Sequence, residues 1–304
     1  MKKISIIILA IFVTMKLAAQ QDPMYSQYWI NANILNPAQT AAEGTTSLNL
    51  TGRYQWVNVN GAPKTGSLSF ATMPVNKLGI GASYVYDEIG PIKSSTLNAD
   101  VAYHLNVSKS WIVTVGTRIS INNTAMNLRD LNLDQSGDPL FSQNLNTGIK
   151  PNIGFGILVR NDRFYFGFSQ PRSITYDLGT STYMNSKILP HRFAYIGYNF
   201  TLNDDVDLRP SVLVKQVDFA PVQLDVNLVA EFVKKFSVGL GYRSADGISG
   251  MAGMSANDHL KIYYCYDYPL MSAISMVSKQ THQLSLIYTF SKSPKRINSP
   301  RYFN

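Results

Sequence analysis

The residues best able to do chemistry are scattered along the chain. His104, His191, His259 and His282 stand far apart, and none forms an H-E-x-x-H or other close metal pair. Asp204, Asp205 and Asp207 crowd one segment, where they give either a weak calcium site or a solvated turn. Asp130, Asp134 and Asp138 lack EF-hand spacing. Cys265 is the sole cysteine, which excludes an intramolecular disulfide and a cysteine-based zinc site. A Ser-His-Asp triad is invisible in a sequence, but no G-x-S-x-G element points to one. No phosphate loop or dinucleotide fingerprint occurs. Gly79 and Gly81 fall inside a strand pattern, where glycine makes room for a neighbour. The expectation from these residues is a protein that binds and does not catalyse, with no cofactor and no metal.

The elements that carry these residues begin with a leader. Lys2 and Lys3 precede an apolar run from Ile4 to Met15, with Ala18 and Ala19 after it. That is a signal-peptide pattern over 1–19, too short for a membrane-spanning helix. No later stretch holds eighteen consecutive apolar residues, which excludes a helical membrane protein. The net charge is +8, with Lys2, Lys3 and Lys16 in the leader. The remaining basic residues are spread out, as on loops and a wet interior, and an exported chain has no use for nucleic acid.

From about residue 45 to Phe290, one pattern repeats: roughly ten residues of apolar/polar alternation, then a turn. Leu224, Val226, Leu228, Ala230 and Phe232 alternate with Gln223, Asp225, Asn227, Val229 and Glu231. Ten residues is about the span of a tilted strand across a bilayer. About fourteen such strands are expected, near 45–56, 64–72, 77–87, 95–106, 111–122, 149–160, 163–170, 191–201, 206–216, 221–232, 235–243, 246–255, 258–267 and 281–290. Connections alternate between short and long, with 123–148, 171–190 and 268–280 the longest. The expected fold is all-β: a transmembrane outer-membrane β-barrel of antiparallel strands, its short turns in the periplasm. Arg53, Asp100, Arg118, Arg160, Arg209, Lys215, Asp225, Glu231, Arg243 and Lys261 share the phase that faces the lumen. Tyr103, Trp111, Phe166, Tyr198, Phe236, Tyr242, Tyr264 and Tyr288 take the opposite phase, in keeping with aromatic girdles. Pro210 requires a position where no N–H is needed, and the small run Gly250–Gly253 marks a bend or a close approach. A basic tail, 291–304, carries Lys292, Lys295, Arg296 and Arg301.

Between leader and first strand, residues 20–44 are too irregular for a strand and too rich in rings and amides for a loose leader. Tyr25, Tyr28 and Trp29 offer anchoring rings, while Gln27, Asn31 and Asn36 can satisfy buried backbone groups. Asn36-Pro37 favours an extended residue followed by a turn. The expectation is a short plug-like segment packed in the lumen or at the periplasmic mouth. The stretch Gln21-Asp22-Pro23 with Tyr25-Ser26-Gln27-Tyr28, Asn31, then Asn36-Pro37-Ala38, closely resembles the opening of the type IX secretion membrane proteins of the PorP/SprF family from Bacteroidetes. The family's nearby glycine arrives only at Gly44, so the hinge into the first strand differs.

That resemblance implies an integral outer-membrane protein of the type IX secretion and gliding machinery; the even strand number is expected to put both termini on one side, in the periplasm. The resemblance implies partners of two kinds: a secreted surface protein or adhesin with a C-terminal sorting domain, and periplasmic ring or peptidoglycan-associated lipoproteins. On this reading the partner-binding or plug residues are Asp22, Pro23, Tyr25, Ser26, Gln27, Tyr28, Trp29, Asn31, Asn36 and Pro37. Two other functions stay open: a barrel that conducts small solutes, and an outer-membrane hydrolase.

Overall fold

The computed structural model describes residues 23–130, 144–177, 187–244, 246–270, 278 and 280–290. Residues 1–22, with the expected leader and Asp22, together with Asp134, Asp138 and residues 291–304, lie outside the described residues. Fourteen long antiparallel strands close on themselves. They run Ser47–Tyr54 (β1), Lys64–Val75 (β2), Leu78–Ile89 (β3), Ile92–Asn106 (β4), Ile112–Met126 (β5), Lys150–Arg160 (β6) and Phe164–Gln170 (β7). His191–Tyr198 (β8), Val206–Val217 (β9), Gln223–Phe232 (β10), Phe236–Arg243 (β11), Gly247–Ser255 (β12), Leu260–Pro269 (β13) and Thr281–Thr289 (β14) complete the wall. Each strand pairs with its sequence neighbour, and β14 returns to β1 in a register from Ser47 opposite Thr289 to Tyr54 opposite His282. Closure leaves no free edge in the wall, the condition for β-structure in lipid.

The two rims differ. Links after even-numbered strands are short: 76–77, 107–111, 161–163, 199–205, 233–235 and 256–259. Links after odd-numbered strands include 55–63, 127–149, 171–190 and 270–280, although 90–91 and 244–246 are tight turns. The barrel is entered and left at the short-turn rim, where the Phe290 N–H donates to the Thr46 carbonyl at 2.9 Å. Two-residue pieces decorate the ends: Leu145–Asn146 extends beside β5, Phe200–Thr201 continues toward β9, and Tyr176–Asp177 pairs with Lys187–Ile188.

Alternation explains which way each side chain points. On β10, Leu224, Val226 and Leu228 are exposed, while Asp225 and Asn227 are buried inside. The outward phase carries exposed Leu50, Leu68, Val101, Ile119, Ile153 and Leu240, a lipid-facing band. Rings gather near its edges. Trp111 meets Phe164 edge-on at 5.8 Å, and Phe290 contacts both Tyr288 and Phe70 at the short-turn rim. Pro210 pairs with Leu228 of β10, and the ladder to β8 lapses at Pro210, where a donor is lacking. The run Gly250–Gly253 sits in an unbroken strand. A Cβ on Gly253 would meet the Tyr263 ring at 2.3 Å, so the approach there comes from the wall and not from the plug.

Candidate functional site: a plug across the lumen

Residues 23–44 thread the barrel from its long-loop half to its short-turn rim. Ser26 contacts Asp267 and Gln283, near the long-loop ends of β13 and β14. Thr40 reaches His104, near the short-turn end of β4, and Ala42 reaches Arg160 at the end of β6. One helical turn, Ala32–Leu35 (α1), and a 3-10 turn, Pro37–Gln39, form the middle. The sequence alone does not announce α1. Asn36 between them is extended (φ −138°, ψ 113°), as a residue before proline prefers, and its side-chain oxygen accepts from Ala38 N–H at 2.8 Å. Pro37 starts the second turn, where its missing N–H costs nothing. Gly44 adopts φ +70°, a conformation suited to glycine, just before the chain enters β1.

The wall holds the plug chiefly by donating to its backbone. Arg118 pairs with Asp100 at 2.6 and 2.7 Å, and the same guanidinium donates to the carbonyls of Asn33 and Ile34. Arg243 forks onto Asp225 and reaches the Tyr25 carbonyl at 3.3 Å. Arg160 donates to the Ala42 carbonyl, and Ser169 to the Leu35 carbonyl at 2.7 Å. Arg53 lies between Ser26 and Asp267 at 2.8 and 2.7 Å. A short segment without a sheet partner would otherwise bury unpaired carbonyls, and these donors remove that cost.

Plug side chains answer in kind. Asn36 donates to the Ile157 carbonyl at 3.1 Å and to the Tyr195 hydroxyl at 2.9 Å, which also receives Gln39. Tyr28 donates to Ser211 at 2.9 Å, Gln27 to the Tyr264 carbonyl at 3.2 Å, and Ser69 to Asn31 at 2.6 Å. Glycines give the segment its seat. A Cβ on Gly116 would lie 2.3 Å from Ala38 N, one on Gly156 1.9 Å from Asn36 Oδ1, and one on Gly79 2.4 Å from the Thr40 carbonyl. The neighbour for which Gly79 and Gly81 make room is therefore Thr40 of the plug.

Of the residues singled out from the sequence, Tyr25, Ser26, Gln27, Tyr28, Asn31, Asn36 and Pro37 are buried in this seat. Pro23 is half-buried, and Asp22 lies outside the described residues. Trp29 differs in being only partly buried; it packs edge-on against Tyr28 at 5.4 Å, and both rings line a cavity. The partners of these residues on the wall, such as Gln283, Tyr195 and Ser211, carry no local sequence signal, because they sit 150 or more positions away along the chain.

That cavity, about 620 Å³, lies between the plug and the wall from β6 to β13. The exposed turn residues Asp162 and Arg163 place its mouth at the short-turn rim. The histidines are taken up locally. His104 bonds Thr114 and the Thr40 carbonyl, His191 the Leu189 carbonyl, His259 the Thr289 carbonyl, and His282 the Tyr264 hydroxyl. Asp207 lies 3.8 Å from Arg209, while Asp204 and Asp205 are exposed. Among the described residues, no three His, Cys, Asp or Glu side chains gather as a metal site.

Comparison with solved structures places the wall among outer-membrane barrels. The CymD monoaromatic hydrocarbon channel is similar with a TM-score of 0.54 and 11% identity, over 87% of this chain and 94% of that one. The Ralstonia pickettii toluene transporter TbuX gives 0.53 and 11%, over 86% and 93%. A Pseudomonas aeruginosa FadL homologue gives 0.50 and 12%, over 86% and 94%. At such identities the likeness is one of fold. No curated protein matches the chain. The model of the family described as type IX secretion system membrane protein PorP/SprF matches residues 17–288, reaching into the last strand. With the plug motif seated in a closed fourteen-strand wall, the chain belongs to that family and is an integral outer-membrane component of the type IX secretion system.

Proposed function

We propose that this barrel holds a secreted surface protein, an adhesin with a C-terminal sorting domain, and couples it to periplasmic ring or peptidoglycan-associated lipoproteins of the secretion and gliding machinery. The observation that carries this reading is the seated plug. A lumen crossed by a segment pinned through Arg53, Arg118, Arg160 and Arg243 works as a rigid platform, and its action is binding at the rims. In this reading the short-turn rim faces the periplasm, and both chain ends, including the tail 291–304, lie there. Loops 123–148 and 171–190, parts of which lie outside the described residues, meet the surface protein. Trp29, the partly exposed motif ring at the cavity, serves the periplasmic side. Chemistry plays no part, and the role needs no cofactor.

The test is affinity purification from outer membranes with the full chain as bait. The expected result is recovery of a surface protein bearing a C-terminal sorting domain together with a periplasmic lipoprotein. Shortening loop 171–190 should lose the first and keep the second. Recovery of neither, from a barrel that is folded by its heat-modifiable mobility, would overturn the proposal.

A further inference from the structure

The cavity at the short-turn rim carries an inference independent of the secretion role. Its inner surface is aromatic. Trp29 comes from the plug and Tyr165, Tyr195 and Tyr263 from the wall, with Tyr165 tilted against Tyr195 at 6.1 Å. Its rim is cationic, with Arg163 and Lys261 both exposed and in no ion pair among the described residues. The acids nearby are already engaged: Glu231 is held by Arg209, and Glu43 and Asp162 have interactions of their own. The volume falls within the range of about 300–1,000 Å³ usual for ligand pockets.

We propose that this cavity binds an aromatic group that carries or adjoins a carboxylate. The ring enters among Trp29, Tyr165 and Tyr263, where offset and edge-on contacts are available, and the carboxylate stays at the mouth on Arg163 and Lys261. Two sources present that chemistry: a free aromatic acid, or a Phe or Tyr flanked by Asp or Glu in an extended peptide. The chain's own tail is the wrong charge. Its aromatic pair Tyr302-Phe303 follows Arg301, and Lys292, Lys295 and Arg296 would be repelled by the two rim cations.

Saturation-transfer NMR on the full-length protein in lipid nanodiscs tests this. The probes are phenylacetate, acetyl-Glu-Tyr-Glu-amide, and acetyl-Pro-Arg-Tyr-Phe-amide, which reproduces residues 300–303. Transfer to the rings of both acidic probes is expected, with little to the basic one. The double variant R163A/K261A alters exposed side chains only and should weaken the acidic probes about tenfold. W29F should keep binding, and W29A should weaken phenylacetate and the acidic peptide alike. A peptide affinity about tenfold above that of phenylacetate assigns the site to a peptide segment; equal affinities assign it to a free acid. Acidic probes unaffected by R163A/K261A would overturn the proposal. So would a basic peptide that binds as well as the acidic one, which would point to the tail as occupant.

Discussion

The two sides of the plug meet the barrel in opposite ways. Toward β3–β6 the wall is stripped to glycine at Gly79, Gly116 and Gly156, and the plug lies against it with no space for a Cβ. Toward β7–β13, near the short-turn rim, the wall keeps full rings and charges, and a cavity of about 620 Å³ remains. One side is a seat and the other a receptive surface. The same strand pattern builds both, so the difference lies in the inward-facing residues alone. A segment can thus be seated against glycine on one side of a barrel, be pinned by single bonds on the other, and still leave that other side open near the rim.

Variants that strike the seat should dominate. Arg118→Ala strips two plug carbonyls of their donor and leaves the buried Asp100 carboxylate unpaired. A loss of about 3–5 kcal/mol is expected in urea unfolding followed by heat-modifiable mobility. Arg209→Ala, on the cavity side and half exposed, should cost far less by the same measurement. Equal losses would erase the comparison. The outer face is predicted to be indifferent to it. Ile119→Lys behind the seat and Val226→Lys behind the receptive side both point to lipid, and each should cost about 2–4 kcal/mol near the midplane.

Smaller effects sharpen the contrast. Gly116→Val drives a side chain into Ala38 and should cost about 1–3 kcal/mol while exposing the plug to protease, whereas Gly250→Val meets nothing within 4 Å and should leave both unchanged. Tyr28→Phe removes the bond to Ser211 and should cost about 1 kcal/mol, with the plug still protected.

Much of the wall was legible because a side-chain period of two is enforced wherever one face meets lipid. Where lipid contact ends, the signal ends too. β5 runs on to Met126, beyond the expected 122, because Asn122–Met126 still pair with β4 although Asn122, Asn123 and Thr124 break the apolar/polar alternation. The short pairs Tyr176–Asp177 and Lys187–Ile188 were not legible either, since two residues carry no period. The plug announced itself through its rings and amides, and the lumen cations through their phase. Which cation meets which carbonyl was hidden, since Arg243 and Tyr25 are 218 positions apart and only closure of the wall brings them together. Trp29 looked the same as Tyr28 in sequence. Both rings line the cavity, but Tyr28 is buried and bonded to Ser211, while Trp29 stays partly exposed.

The claim on which the rest depends is that residues 23–44 seal the lumen. Conductance of the full-length protein in planar bilayers tests it most directly. The seated plug predicts no steady channel at any applied voltage. A stable ohmic conductance from the unaltered chain would contradict the account.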